Sequence, residues 1–307
     1  MIASVGPPST LDPRGPAAAD IAVLWWVMLA AGVAVLVLVC VLLARALRSP
    51  AGAGGSTRGV VALGIVMPAI VLAGVLALTI RAGALTYWPG QEPAVAVDVV
   101  GHKFWWEVRY PQDDGEVVTA NELHIPAGEP VLLRLHSEDV IHSFWVPQLH
   151  GKMDMVPGTV NEFWIEADEA GTYRGICAEY CGLQHAQMHF LVVAEDDFDA
   201  WLAEQAAPAP EPDTATTQQG AEVFADLNCA GCHDVRGIDE SGTRRGPDLT
   251  HFGSRRTIAA GMQPNDREHL AAWLLDPHET KPGVRMPPTA MEEDELDALL
   301  AFLESLE

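Results

Sequence analysis

Two long uncharged stretches limit this 307-residue chain more than any other feature of its sequence. They cover residues 21–43 and 60–80, which are 23 and 21 residues long. Each can cross a hydrocarbon core of roughly 30 Å as a helix. Pro68 lies inside the second stretch, a position that membrane helices tolerate. We therefore predict a transmembrane helical hairpin over residues 21–90, preceded by an outer segment at residues 1–20.

Basic residues set the orientation of this hairpin. The loop between the two stretches carries Arg45, Arg48 and Arg58 and has no acidic residue. Loops of this kind stay on the cytoplasmic side of a membrane. We therefore expect a multi-pass protein of the cell (inner or plasma) membrane, with the C-terminal part on the outer, periplasmic face.

The charge balance excludes one class of partner. The sequence has 18 Lys and Arg against 42 Asp and Glu, a formal net charge of −24 at pH 7. This acidic charge lies after residue 90. Because nucleic-acid phosphates require a basic surface, no nucleic-acid partner is expected. An acidic outer surface favours a basic protein partner instead.

Residues 91–205 have the pattern of a β-rich domain. Val95, Val97 and Val99 alternate with other residues along the chain, as expected of a half-buried strand. Further short runs of strand character, separated by turn residues, lie at 131–135, 162–165, 171–174 and 190–193. Many short strands at this spacing indicate an antiparallel sandwich or barrel.

Soft metal ligands are concentrated in this domain. Cys177, Cys181, His185 and Met188 lie within twelve residues, and His142 offers a second imidazole upstream. Thiolate, imidazole and thioether together favour copper over hard cations. Disulfides and a structural zinc site are the alternatives. Zinc gives Met188 no role, whereas a cupredoxin-type copper site uses a thioether as a weak axial ligand.

The C-x-E-x-C-x3-H-x2-M loop at residues 177–188 resembles the dinuclear CuA domain of cytochrome c oxidase subunit II. The upstream V-I-H-S-F-W-V-P sequence, the hairpin anchor, the segment 101–106 and the turn at 156–158 are similar to the same family. The resemblance covers nearly all of residues 15–200, and it implies a cupredoxin-like Greek-key β-sandwich.

This resemblance assigns the ligands of a dinuclear copper site. Two thiolates would bridge the copper ions, each imidazole would bind one ion, and a thioether and a backbone carbonyl would make weak axial contacts. In this sequence these ligands are Cys177 and Cys181, His142 and His185, Met188, and the carbonyl of Glu179. The Glu179 side chain would also contact a Mg²⁺ ion at the interface with the catalytic subunit.

Aromatic residues mark the place where this family receives electrons from a soluble cytochrome c. The family often has Trp at the position of Phe104, whereas the aromatic pair here is Trp105 and Trp106. The resemblance therefore implies that electrons arrive near these three residues, by a route that differs if the donor is tethered.

The other histidines are predicted to be structural. Those of residues 91–205 are expected to pack, form hydrogen bonds or lie at the surface: His102, His124, His136, His150 and His189. Three later ones are predicted to lie at the surface: His251, His269 and His278.

A Pro-rich run at 206–217 leads to a further domain at 218–307. We predict that the run is a semi-extended tether of roughly 3 Å per residue. Cys229-Ala-Gly-Cys232-His233 then forms a c-type haem attachment sequence. Its two thiols would form thioethers with the haem vinyl groups, and the histidine would ligate the iron. A C-x-x-C redox pair is the alternative.

Helical patterns surround the haem sequence. A helix is predicted over residues 218–227. Asn265 with Glu268, and Thr289 with Glu292, have the spacing of capping pairs before two later helices. A small all-helical haem domain of this kind is similar to class I cytochrome c.

A methionine is the predicted sixth iron ligand, because His/Met ligation keeps the haem potential high. The candidates are Met262, Met286 and Met291. We predict Met286, because the Arg-Met-Pro-Pro sequence at 285–288 resembles the family's axial motif. Met291 is expected to pack inside the last helix. The resemblance also implies that the carbonyl of Pro247 accepts a hydrogen bond from the proximal histidine.

A haem domain fused behind a CuA domain resembles subunit II of the caa-type cytochrome c oxidases. This implies a multi-domain membrane protein in which electrons pass from a soluble or membrane cytochrome c to the chain's own haem c and then to CuA. The acceptor would be catalytic subunit I, which reduces O₂ to water, and subunit III is a further expected partner. The chain itself would carry electron transfer and no O₂-reducing site.

Two other functions would use the same outer domains. One is the electron-input subunit of a CuA-containing nitric oxide reductase, which only the catalytic partner distinguishes. The other is a membrane-anchored electron carrier or copper-binding module without an oxidase partner. Co-purification with a haem-rich, many-span subunit separates this last function from the first two.

Overall fold

The N-terminal part forms a helical hairpin in this computed structural model, which describes residues 8–50, 56–88, 90–113 and 115–307. Its helices are α1 (Pro16–Arg48), α2 (Thr57–Val61) and α3 (Met67–Tyr87), with a π-helical turn at Ala62–Val66 between the last two. Pro68 follows this turn and lacks the N–H that a regular α-helix would use there. Both hydrophobic helices are long and apolar enough to cross a membrane. They anchor the chain in a membrane; that both cross it stays a prediction.

Hydrogen bonds join the outer end of the hairpin to the region that follows. The Ala18 N–H, near the start of α1, donates to the Leu149 carbonyl (3.2 Å). At the end of α3, the Thr86 carbonyl accepts hydrogen bonds from His150 Nε2 (3.1 Å) and Trp164 Nε1 (2.8 Å). The start of α1 and the end of α3 therefore lie on one side, as the predicted orientation requires.

A β-sandwich follows, and we call residues 95–195 the sandwich. Within the described residues its strands are β1 (Val95–His102), β2 (Trp105–Gln112), β3 (Gly115–Ala120), β4 (Glu122–Pro126), β5 (Val131–Ser137), β6 (His142–Trp145), β7 (Lys152–Met155), β8 (Asn161–Ile165), β9 (Gly171–Cys177) and β10 (His189–Glu195). One sheet has the order β3-β2-β1-β5-β8 and the other β4-β10-β9-β6-β7. The predicted sandwich is confirmed.

The antiparallel arrangement predicted for this sandwich does not hold for two of its strand pairs. Strand β1 pairs with β5 in parallel, and so does β4 with β10. Such pairs require crossover connections, and here the intervening strands supply them. The buried faces share one core, in which Val97, Leu133 and Phe144 are fully buried. This core supports the ends of β6, β9 and β10, where the predicted copper ligands lie.

Residues 215–307 form a second outer body, which we call the helical unit. Its elements are α5 (Ala215–Asp226), a 3-10 turn at Cys229–Gly231, the short strands β11 (Thr257–Ile258) and β12 (Gln263–Pro264), and the helices α6 (Arg267–Leu275), α7 (Pro277–Thr280) and α8 (Glu293–Ser305). Helix α5 crosses α8 at Gly220, where a Cβ atom would lie 2.1 Å from the Ala298 carbonyl oxygen. The rings of Phe224 and Phe302 meet edge to face beside this crossing.

Both predicted capping pairs are shifted along the chain. Helix α6 is capped by Asp266 rather than Asn265, because the Asn265 amide donates instead to carbonyls such as that of Phe252 (2.9 Å). Helix α8 is capped by Glu292 rather than Thr289. The helices themselves form where the apolar pattern predicts them, so only their first residues change.

The Pro-rich run is packed against the helical unit. Helix α4 (Phe198–Ala206) follows the sandwich, which leaves residues 207–214 before α5. The Ala209 N–H donates to the Arg236 carbonyl (2.9 Å). His251 is buried, contrary to its predicted surface position, because its ring bonds the carbonyls of Ala207 and Glu307. Residues 207–214 therefore form a strap along the helical unit.

Candidate metal and haem sites

The five side chains predicted to bind copper lie together at one end of the sandwich. The sulfur atoms of Cys177 and Cys181 are 3.9 Å apart. His142 Nδ1 lies 3.8 Å from the sulfur of Cys177, and His185 Nδ1 lies 3.9 Å from that of Cys181. The Met188 thioether is 3.9 Å from Cys181 Sγ. Each thiol therefore has its own neighbouring imidazole.

Local backbone structure brings these residues together. Cys177 ends β9, and His142 begins the adjacent strand β6. The Cys177 N–H donates to the Met188 carbonyl (3.1 Å), which closes the loop between β9 and β10. A 3-10 turn at His185–Gln187 places the second imidazole inside this loop. His142, Cys177, Cys181 and Met188 are all at most 5% exposed, so water is largely kept from the site.

The donor set fits copper. The sulfur separation is far beyond the roughly 2.05 Å of a disulfide, and both thiols are free. Hydrogen bonding to Cys181 and His142 holds the pKa of the Cys177 thiol far below its usual range, and the shared proton raises the pKa of Cys181. A thiolate is the form that binds metal. The buried Met188 adds a soft donor that a four-coordinate zinc site would not use.

Asp139 orients one of the imidazoles, although the sequence motif does not include it. Its carboxylate accepts hydrogen bonds from His142 Nε2 (2.9 Å) and from the N–H groups of Lys103 and Val140 (2.8 Å each). Burial alone would raise the pKa of Asp139, but these hydrogen bonds lower it to about 2. His142 thus keeps Nδ1 toward Cys177. An acidic residue three positions before the histidine was the available signal.

The c-type sequence forms a compact pocket for its histidine. The 3-10 turn holds Cys229, and the His233 N–H donates to the Cys229 carbonyl (3.0 Å). His233 Nδ1 donates to the Pro247 carbonyl (2.8 Å), which leaves Nε2 available as a ligand. Gly246 lies so close that a Cβ atom there would be 2.6 Å from the imidazole ring. Burial lowers the pKa of His233 and favours the neutral imidazole that ligates metals.

Comparison with known proteins decides the family. The family described as cytochrome c oxidase subunit II, periplasmic domain, matches residues 112–195, and the cytochrome c family matches residues 217–307. Cytochrome c oxidase subunit 2 of Alkalihalophilus pseudofirmus is 39% identical over 316 aligned residues, which cover 97% of this chain and 90% of that protein. The chain belongs to the cytochrome c oxidase subunit II family.

Other relatives cover less of the chain. Subunit 2 of Bacillus sp. strain PS3 is 38% identical over 69% of this chain and 62% of its own length. The crystal structure of the periplasmic domain of subunit II of the Bradyrhizobium japonicum cytochrome oxidase is 27% identical, with a TM-score of 0.35, over 38% of this chain and 95% of that one.

The two family matches contain the predicted cofactor residues of this subunit II. The six predicted copper ligands lie inside the first match, and the predicted haem residues lie inside the second. The chain is thus a subunit II with a CuA copper domain and a cytochrome c domain that takes haem, as its resemblance to the caa type predicts. The residue assignments themselves stay predictions.

Glu179 in this subunit II has two separate surroundings. Its backbone carbonyl lies 3.2 Å from Cys177 Sγ, next to the thiol pair. Its side chain is 44% exposed and lies 3.8 Å from the Lys152 ammonium group. The carbonyl is therefore near the copper ligands, whereas the carboxylate faces outward, where a partner subunit can reach it.

The predicted electron-input aromatics are covered. Phe104, Trp105 and Trp106 are 7%, 9% and 1% exposed. Trp106 packs in the core beside Phe190, with ring centroids 4.8 Å apart. Trp105 packs against Ala260 of the helical unit. In this subunit II the three residues therefore offer no open face to a soluble donor.

Met286 lies in the segment between α7 and α8, where it is partly buried against the core of the helical unit. Met291 is also partly buried there. It precedes α8 rather than lying inside it, because the helix begins only at Glu293. Met286 remains the predicted haem ligand of this subunit II.

Proposed function

We propose that this subunit II receives electrons at its helical unit and passes them through the sandwich to catalytic subunit I of a cytochrome c oxidase, which reduces O₂ to water. The observation that carries the proposal is the cluster of Cys177, Cys181, His142, His185 and Met188, with each sulfur or nitrogen within 3.9 Å of a neighbouring donor. When bound, the dinuclear copper and the haem each take up and release one electron.

The residues around the copper ligands support fast electron transfer. Cys177 and Cys181 would share both copper ions, so a change of charge is spread over two metals. Asp139 holds His142 in place, and the sandwich holds both β6 and β9. A buried, pre-oriented site of this kind needs little rearrangement when its charge changes.

Covalent haem attachment and its ligands belong to the same proposal. Cys229 and Cys232 would form the thioether bonds, and His233 and Met286 would ligate the iron. The hydrogen bond from His233 to the Pro247 carbonyl supports this assignment, since it orients Nε2 away from the loop. Free thiols at both cysteines are what attachment requires.

Partners outside the chain complete the proposal. The outward carboxylate of Glu179 would bind Mg²⁺ at the contact with subunit I, since carboxylate oxygens suit this ion. Subunit III is a further partner of the same complex. The donor would be a basic cytochrome c, because the chain carries a net charge of −24 and opposite charges steer association.

Metal analysis of the full chain tests the copper centre. Copper and haem are quantified per chain, and the paramagnetic resonance spectrum of copper is recorded. We expect two coppers sharing one unpaired electron, with one low-spin haem. Cys181→Ser should abolish the shared signal, whereas Cys40→Ser, in the exposed part of α1, should preserve it. A single copper or a zinc in the parent chain would contradict the proposal.

The acceptor is tested with the co-purified complex. O₂ consumption driven by reduced cytochrome c identifies an oxidase, and the same preparation is assayed for consumption of nitric oxide. We expect a haem-rich, many-span subunit to co-purify and O₂ to be the acceptor. Purification of the chain alone from its native membrane would instead favour an isolated electron carrier.

A further inference from the structure

A short segment of the helical unit reaches into the sandwich. Lys281 is 1% exposed, and its ammonium group donates a hydrogen bond to the Phe104 carbonyl (3.0 Å). The next residue, Pro282, accepts a hydrogen bond through its carbonyl from the Gln184 side chain. Gly283 then packs on Leu183. Residues 281–285, which we call the docking segment, thus contact the sandwich next to the predicted copper ligands.

A buried carboxylate forms a second anchor. Glu122, at the start of β4, is 3% exposed and accepts hydrogen bonds from the N–H groups of Arg256 (2.8 Å) and Thr257 (3.1 Å). The Arg256 side chain also donates to the hydroxyl oxygen of Thr172 (2.5 Å). In addition, the His189 N–H donates a hydrogen bond to a backbone carbonyl of the helical unit. The contact therefore extends over several strands of the sandwich.

Charge is distributed unevenly on the helical unit. The chain after residue 205 has more than twice as many acidic as basic residues, yet two of its arginines lie beside acids of the sandwich. Arg244 pairs with Glu116 (2.5 Å), and Arg285 lies 4.0 Å from Asp139. The side of this acidic body that meets the sandwich therefore carries two basic side chains opposite acidic ones.

We propose that Lys281 is a positioning residue that fixes the helical unit on the sandwich. Electrons then pass from haem to copper while the two bodies stay docked, and the helical unit does not move on a flexible tether. Because Met286 directly follows the docking segment, docking brings the predicted haem-ligand segment against the loop that carries Cys181 and His185. It also places Ala260 of the helical unit in one apolar cluster with Trp105. The docking rests on the contacts above, and its role in electron transfer rests on the proposed function.

Burial makes this lysine sensitive to substitution. An amine removed from water is costly unless it is hydrogen-bonded, and Lys281 spans the contact to reach the Phe104 carbonyl. Lys281→Ala removes this donor and the buried stem, and leaves the carbonyl without it. Lys281→Met keeps a stem of similar length and removes only the donor. Comparing the two variants therefore separates the effect of the lost hydrogen bond from the effect of the lost packing.

Hydrogen exchange on the full-length chain in detergent tests the docking. We expect Lys281→Ala to speed exchange about tenfold in peptides containing Arg256, Thr257 and His189, as loss of a central interface side chain does. Exchange in α5 should not change. The matched control is Arg267→Ala, since Arg267 pairs with Asp297 and Glu304 inside the helical unit. Equal exchange in Lys281→Ala and the control would overturn the proposal.

A second variant approaches the contact from the sandwich. Glu122→Gln removes the carboxylate from the Arg256 and Thr257 N–H groups, and it should speed exchange in the same peptides. This result keeps the docking testable if Lys281→Ala does not fold. Unchanged exchange in Glu122→Gln would contradict a docked state held by these contacts.

Electron transfer is measured separately on the copper- and haem-loaded chain. We expect Lys281→Ala to slow transfer from haem to copper by about tenfold, with no change in the rate at which an added reductant reduces the haem. A role confined to folding would alter both rates or neither. Unchanged internal transfer alongside faster exchange would overturn the positioning role and leave the proposed function standing. Failure to bind copper or haem in the parent chain would refute the proposed function, while the exchange result still reports on docking.

Discussion

At the scale of single residues, Gly101 leaves the space that the imidazole ring of His142 occupies. A Cβ atom on Gly101 would lie 2.9 Å from His142 Cδ2. We therefore expect Gly101→Ala to displace the imidazole and to cost about 1–3 kcal/mol of overpacking. The copper resonance spectrum should change and copper should be lost more readily to a chelator. Gly151→Ala, whose added Cβ would make only an ordinary contact at 3.7 Å, should match the parent.

Glu107 should make the stability of the sandwich depend on pH. This buried carboxylate accepts hydrogen bonds from His102 (2.9 Å) and Arg109 (2.6 Å). Burial alone would raise the pKa of Glu107, but these bonds outweigh burial and lower it to about 2. Its contribution to the free energy of unfolding is therefore complete above pH 4.5 and is lost as the pH falls toward 2.

Substitution tests this dependence. We expect Glu107→Gln to lower the free energy of unfolding by about 3 kcal/mol at pH 7, since the partly buried Arg109 loses its counter-charge. The difference from the parent should shrink between pH 4.5 and 2. Denaturation followed by tryptophan fluorescence gives both values, with the exposed Glu129→Gln as control. A difference that stays constant across this pH range would show that Glu107 is not the titrating group.

The clustering of the predicted copper ligands could be inferred from their spacing. Cys177, Cys181, His185 and Met188 lie within twelve residues, so a single loop can bring their side chains close together. Lys281 was not predictable in this way, because it acts on Phe104, which the fold brings near from another body, and no local pattern reports such a contact. Asp139 lies only three residues before His142, so its spacing was available, but the copper motif assigns it no role.

At the scale of elements, the crossing of α5 and α8 depends on Gly220. The 2.1 Å approach of a Cβ atom to the Ala298 carbonyl cannot be relieved by rotating a side chain. We expect Gly220→Ala to force the helices apart and to lower the melting temperature of the helical unit by several degrees, as overpacking of about 1–3 kcal/mol does in a small domain. Circular dichroism in the haem absorption band measures this change.

Two readouts keep that prediction specific. Gln219→Ala, one residue earlier on an exposed position of α5, should melt like the parent. The copper spectrum should be unchanged in both variants, because the sandwich has its own core. Equal melting of the Gly220 and Gln219 variants would mean that the helices can separate without cost.

The apolar pattern of the sequence predicts where strands and helices form, but it does not predict which strands pair with each other. Alternation predicts the strand around Val95–Val99, and a period of two says nothing about whether β5 pairs with it in parallel. The cap of α6 shows the same limit on a smaller scale. Asn265 and Asp266 are both good capping residues, and the choice between them is made by carbonyls of a distant loop.

At the scale of the whole molecule, the strap is expected to have little influence on electron transfer. If contacts hold the helical unit in place, inserting Gly-Ser-Gly after the exposed Glu211 should change the rate from haem to copper by less than about twofold. A swinging tether would instead slow transfer as its length grows. Flash reduction of the loaded chain measures the rate.

Combining the insertion with Lys281→Ala sharpens this test. Once the docked state is weakened, the strap becomes the remaining connection, and the insertion should slow transfer further. A slower rate for the insertion alone would contradict docking by contacts. The prediction of a free tether at 206–217 is thus revised, because the run is held against the helical unit by contacts of Ala209 and His251. A Pro-rich composition alone does not reveal such contacts.

The π-helical turn at Ala62–Val66 sets a direction as well as tolerating a proline. One residue of an α-helix corresponds to about 100° of rotation. A π-helical turn holds one residue more than an α-helical turn and can absorb such a deletion, whereas deleting one residue from α3 itself would rotate its far end by about that angle. The Thr86 carbonyl would then turn away from His150 and Trp164. The helical phase of α3 therefore sets which of its residues meets the sandwich, and so how the sandwich is oriented on the hairpin.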